Sequence, residues 1–146
     1  MLGSIGRQLK QSLRDLGRAH REISALYLFG SSAKGKAGLL SDLDVAVLLD
    51  DSRPKRTGSF GFSSGLLAEV MRVCRRSDAD LVVLNGADPL LAYEVVSGSV
   101  LLYERDRAGR VAYEAGAVCR YLDLLPFLQT ARGYLKKHLR EGTYGG

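Results

Sequence analysis

Leu26-Tyr27-Leu28-Phe29-Gly30-Ser31-Ser32-Ala33-Lys34-Gly35-Lys36-Ala37-Gly38-Leu39-Leu40-Ser41-Asp42-Leu43-Asp44-Val45-Ala46-Val47-Leu48-Leu49 is the stretch on which the fold turns. Two apolar, strand-like runs are joined by a loop of small residues that ends in a pair of acids. Gly30 stands where the first run stops, and a residue without a Cβ lets backbone approach a phosphate closely. The N–H groups that follow can point at such an anion, and the Ser31 hydroxyl adds a donor. Asp42 and Asp44 are two residues apart at the start of the second run. Strand periodicity therefore puts both carboxylates on one face, roughly 7 Å apart at Cα. Two acids so placed suit Mg²⁺, which takes oxygen ligands and is usually held by one or two carboxylates together with substrate phosphates.

A Gly-Ser pair or an Asp-x-Asp pair alone is common in turns and at strand ends. Their order here, between two β-type runs, is far more specific. It resembles the nucleotidyltransferase superfamily that includes DNA polymerase β, whose signature is Gly-Ser, about ten residues, then Asp-x-Asp; the spacer here is Ser32 to Ser41.

Outward from this block, Ile5, Leu9, Leu13 and Leu16 lie on one stripe and predict an amphipathic helix over 3–20. Strands are expected at 25–29 and 43–49, with a short helix or turn at 31–36 between them. A loop is expected over 50–61, where Pro54, basic residues and glycines cluster. Residues 62–76 have helical spacing, with Leu66, Leu67, Val70, Met71 and Cys74 inward. Asp80 opens the apolar run Leu81-Val82-Val83-Leu84, a third strand expected beside the second. Asp78 lies further out in the turn and is the weaker choice for a third acid. Asp88-Pro89 reads as the N-cap and first residue of a helix over 90–96. A short strand at 100–103 follows, and 108–139 reads as one long or broken helix with Pro126 its interruption.

The 146 residues bound the possibilities. The chain is expected to form one minimal catalytic domain, 1–146, with a C-terminal helical segment at about 107–140 and no room for a polymerase's fingers and thumb. Charged residues at 25% and hydrophobic ones at 46% fit a globular protein. No apolar run reaches twenty residues, so a cytoplasmic protein without membrane contact is expected. Cys74 and Cys119 suit a reducing compartment and read as buried small hydrophobes. His20 and His138 read as exposed. A net charge of +5 favours polyanionic partners, although acids are interleaved along much of the chain. Lys34 and Lys36 stand apart, because they lie inside the phosphate loop.

The order of elements predicts an α/β (α+β) fold, a small mixed sheet with helices packed mainly on one side and a long C-terminal helix, as in the nucleotidyltransferase fold. The small size, together with Asp80-Leu81-Val82-Val83-Leu84-Asn85, Asp88-Pro89-Leu90-Leu91 and the run from Gly98 to Asp106, resembles the minimal nucleotidyltransferases of the MntA-type antitoxins paired with HEPN-domain toxins. That resemblance implies ATP as substrate, a two-metal Mg²⁺ site, and transfer of AMP to a tyrosine hydroxyl of a HEPN toxin. It implies that Gly30, Ser31, Ser32 and Lys34 hold the nucleotide and that Asp42, Asp44 and Asp80 are the catalytic, metal-binding acids. No direct nucleic-acid partner is implied. Relatives often carry Arg soon after Gly-Ser, where this chain has Ser32 and then Lys34, a point charge in place of a bidentate fork. Two rival readings are a steric antitoxin with little catalysis and a small-molecule nucleotidyltransferase; the latter usually carries an extra helical domain that this chain lacks.

Overall fold

The structure, a computed structural model, describes residues 2–30, 43–50 and 59–140, with side chains for 6–30, 43–50 and 64–140. The chain runs α1 (Leu2–Ala19), β1 (Ile23–Phe29), β2 (Leu43–Leu49), α2 (Ser59–Cys74), β3 (Ala79–Val83), one 3-10 turn (Leu84–Gly86), α3 (Pro89–Gly98), β4 (Val100–Glu104) and α4 (Arg107–Arg140). The strands form one mixed sheet in the order β3-β2-β1-β4. β1 pairs antiparallel with β2 and with β4, whereas β2 and β3 run parallel across the α2 connection.

Both faces of this sheet are covered, rather than mainly one. Leu13 and Leu16 of α1 and Leu66 and Val70 of α2 pack with Leu26, Leu28, Val45 and Val47 on the first face. On the second, Tyr27, Ala46 and Leu48 meet Val95 of α3, with Tyr113 of α4 against them. The alternation along β1 and β2 demands two covers, because a strand apolar on both sides leaves no face for water. A bulge between Ile23 and Ala25 inserts one residue, so that Ile23 joins Leu26 and Leu28 on the α1/α2 face. Each fully buried Leu, Ile or Val is worth about 1.5–3 kcal/mol of apolar transfer.

The helices follow their local signals. Asp88 caps α3, its carboxylate accepting the Leu91 N–H at 3.0 Å, and Pro89 takes the first helical position. α2 ends at Cys74, beyond which Arg75 takes the left-handed region with φ 54° and the Arg76 N–H returns to the Met71 carbonyl at 3.0 Å. α1 ends under Arg105, whose guanidinium donates to the carbonyls of Gly17 (3.2 Å) and Arg18 (3.0 Å), positions left without helical partners.

Four expectations change. Pro126 does not interrupt α4, which is continuous over 34 residues. Its position is exposed, so the carbonyl of Leu122 that loses its partner faces water, and the Thr130 hydroxyl takes the Pro126 carbonyl at 2.9 Å. Cys119 is exposed and Cys74 only partly buried; two residues beyond the buried Ala117, Cys119 is carried about 200° round the helix. His20 is half-buried, with its Nε2 2.7 Å from Glu69 on α2. The loop expected to Gly61 gives way to α2 at Ser59.

Candidate functional site

The end of β1 and the beginnings of β2 and β3 meet at one edge of the sheet. Phe29 pairs with Asp44, and Asp44 stands in register with Asp80 on the parallel neighbour. Residues in register on adjacent strands share a face, and adjacent strands are about 4.8 Å apart. Alternation assigns that face: Leu43 and Val45 pack toward α1 and α2, so Asp44 and Asp80 belong to the side of Ala46, Val82 and α3.

Gly30 completes the group. It adopts φ +71°, the left-handed region, and a Cβ added there would strike the Asp44 carboxylate, lying 3.2 Å from its Cγ. Glycine is thus required twice, by the turn of the chain and by the closeness of the acid. Asp44 is half-buried, while Asp80 is exposed and its carboxylate accepts the Leu81 N–H at 3.0 Å.

The register has a local cause. Asp78 is gripped by Arg76 through two hydrogen bonds of 2.8 and 2.7 Å, and its carbonyl accepts the Leu43 N–H at 3.0 Å. That bond opens the β2–β3 ladder and sets Asp44 across from Asp80. The guanidinium holds the Asp78 carboxyl below the usual carboxylate range. Asp78 is therefore a positioning residue on the turn, and the acid that lies on the strand at the level of Asp44 is Asp80.

Of the residues expected in the site, the structure brings Gly30, Asp44 and Asp80 together. Ser31, Ser32, Lys34, Lys36 and Asp42 lie outside the described residues. Among those described, no cluster of three His, Cys, Asp or Glu is poised for a metal. Two carboxylates side by side are the oxygen-only donor set that Mg²⁺ prefers, and Asp42, two residues from Asp44 in sequence, would supply the third.

Residues that sequence reading did not single out lock the middle of the sheet and its end away from Gly30. Tyr27 donates to Glu114 (2.9 Å), Arg110 binds both Glu114 oxygens (3.0 Å each) and Glu104 (2.5 Å), and Tyr113 donates to the Leu84 carbonyl (2.8 Å). Burial and the Glu114 carboxylate raise the Tyr27 phenol well above its ordinary pKa. The Asn85 side chain clasps the Leu49 N–H and carbonyl, 2.8 Å each, as a further strand would. A cleft of about 620 Å³ at this end is lined by Leu49, Asn85, Asp106, Tyr113 and Arg120, remote from Gly30. Among the described residues, no helix is long and apolar enough to cross a membrane.

No curated protein sequence matches the chain significantly. Among solved structures, a crystal structure of a toxin-antitoxin with AMP-PNP superposes with a TM-score of 0.72 at 23% identity, over 87% of this chain and 98% of the other. A crystal structure of the toxin-antitoxin MntA-HepT gives 0.68 at 21%, covering 89% and 98%. A tri-AMPylated Shewanella oneidensis HEPN toxin in complex with MNT antitoxin gives 0.64 at 22%, covering 93% and 99%. At these identities the likeness is one of fold. The sequence itself matches the family model described as polymerase beta, nucleotidyltransferase over residues 11–108, well over half of the chain. With its sheet, its glycine turn and its paired strand acids in place, the chain belongs to the polymerase β nucleotidyltransferase family.

Proposed function

We propose that the chain is a Mg²⁺-dependent protein adenylyltransferase, which moves AMP from ATP to a tyrosine hydroxyl of a HEPN-domain toxin and so acts as its antitoxin. The observation that carries this reading is the Asp44–Asp80 pair in register beside the left-handed Gly30. Family membership supports nucleotidyl transfer. The fold shared with an antitoxin bound to an AMPylated HEPN toxin supports the acceptor.

In this proposal Gly30, Ser31, Ser32 and Lys34 receive the triphosphate, the loop N–H groups and the lysine bearing on its oxygens. Asp42, Asp44 and Asp80 hold Mg²⁺, which when bound offsets the negative charge that develops on the α-phosphate and on departing pyrophosphate. The tyrosine oxygen attacks the α-phosphorus in line. A P–O bond forms, the bond to pyrophosphate breaks, and the phenolic proton passes to Asp80, the more exposed acid. Protein groups fixed at the strand ends need not reorganise as charge moves, which is what makes such stabilisation effective.

The test is transfer from α-labelled ATP to a HEPN-domain toxin, in Mg²⁺, with the natural chain and with Asp44→Ala. Label that appears on a partner tyrosine and is lost in the variant is expected. A tight complex with no label would replace transfer by steric neutralisation.

A further inference from the structure

Helix α4 is two structures in one. In its first half Ala117 is buried, Tyr113 and Glu114 bond to Leu84 and Tyr27, and Tyr121 stacks on Tyr93 of α3 with centroids 3.8 Å apart. The same stripe continues at helical spacing through Leu124, Leu128, Leu135 and Leu139, with Phe127 and Tyr134 along its edge. There the cover ends: Phe127 is 73% exposed, Tyr134 65% and Leu139 58%. A helix of 34 residues is about 51 Å long, twice the length of the strands it crosses. Its path runs from Ser24, whose carbonyl takes the Asp106 N–H, to Tyr27, bonded to Glu114, and so along β1 toward Gly30. α4 thus covers the face of the sheet to which Asp44 and Asp80 belong.

Charge decides what fits there. Residues 127–140 contain Arg132, Lys136, Lys137 and Arg140 and no acid, and none of these four makes an ion pair among the described residues. Arg132 and Lys136 border the stripe beside Leu135 and Leu139, and a second copy would lay two more cations against them. Segments 31–42 and 51–58 of this chain are themselves net basic. We propose that the 124–140 half of α4 docks an amphipathic helix of a partner protein, whose apolar stripe meets Leu128, Leu135 and Leu139 and whose flanking Asp and Glu residues meet Arg132 and Lys136, the two cations that border the stripe. This deepens the proposed function and rests on it only for the choice of partner, the protein that presents the tyrosine.

The experiment is calorimetric titration of the full chain with the HEPN-domain toxin of the proposed function. Natural chain, Leu135→Ser/Leu139→Ser and Arg132→Glu/Lys136→Glu are compared, each first shown to keep its far-UV spectrum. Both double variants should weaken binding by about thirtyfold or more, as truncating central contacts and reversing facing charges do. Binding to the natural chain should fall steeply with salt, a dependence the charge reversal abolishes. Affinities within about threefold of natural for both variants would overturn the proposal, and so would the absence of any complex. Self-association lost in the variants would assign the face to a second copy, and binding of anionic phosphatidylglycerol vesicles in place of the protein would assign it to a membrane. Asp44→Asn keeps the two readings apart: binding retained without label removes transfer and leaves the docking face standing.

Discussion

At the Gly30 end of the sheet, two carboxylates are set across from each other on neighbouring strands. At the Asn85 end, Arg105 caps α1, Asn85 clasps β2, and Arg110 binds Glu104 and Glu114. Like charges facing across paired strands are unfavourable, whereas satisfied, partly buried networks resist opening. The contrast teaches that charge-satisfied networks gather at the end of the sheet away from the proposed site. The acids are set across from each other by the backbone register of β2 and β3.

The largest expected effect breaks that comparison at the site. Asp44→Ala should lower transfer at least about a hundredfold, on the scale of losing one electrostatic stabiliser; near-normal transfer in a labelling assay would refute the assignment. Gly30→Ala comes next, because φ +71° and the adjacent carboxylate both oppose a Cβ. It should cost about 1–2 kcal/mol in urea unfolding and reduce transfer about tenfold or more. At the opposite end the effects invert: Arg110→Ala should cost about 2 kcal/mol by leaving Glu104 and Glu114 without their cation, with transfer kept within about threefold. A loss of transfer larger than the loss of stability explains would show that the two ends are coupled.

Acid sharpens the contrast more gently. The Asp78 carboxyl is lowered from 3.8 by Arg76, so its contribution is complete above pH about 4 and fades as pH falls through its folded value. Asp78→Asn should remove that part of the acid dependence in melts below pH 4. The smallest effect concerns thiols. Burial pushes Cys74 up to about 11, so little thiolate forms near neutrality, and iodoacetamide at pH 8 should label the exposed Cys119 about tenfold faster, as mass spectrometry would read.

What sequence could reveal follows the range of the signals. β2 is bounded as expected at Leu43 and Leu49, because alternation and flanking acids are local. The α3 cap, Asp88 before Pro89, was equally plain. Gly30, Asp44 and Asp80 were legible as candidates, but their juxtaposition depends on the parallel β2–β3 register, which rests on Arg76, Asp78 and a backbone bond to Leu43. No periodicity encodes that bond. The Tyr27–Glu114–Arg110–Glu104 network joins residues up to 87 positions apart, so only folding discloses it. Cys119 and Pro126 misled because an apolar or helix-breaking residue was read by type, where the face it occupies on α4 decides the outcome.

β1 and β2 are joined not by a tight hairpin turn but by the thirteen residues 30–42. A tight turn fixes pairing by its own geometry, and a change of one residue would flip every side chain of β2 to the opposite face. Here the pairing is fixed by two buried faces and the Ser24 bulge, and closing a loop a few residues longer costs only a few tenths of a kcal/mol. Between Gly30 and Asp42 the connecting segment can therefore gain, lose or exchange residues without disturbing the strands, while Gly30, Asp44 and Asp80 keep their places.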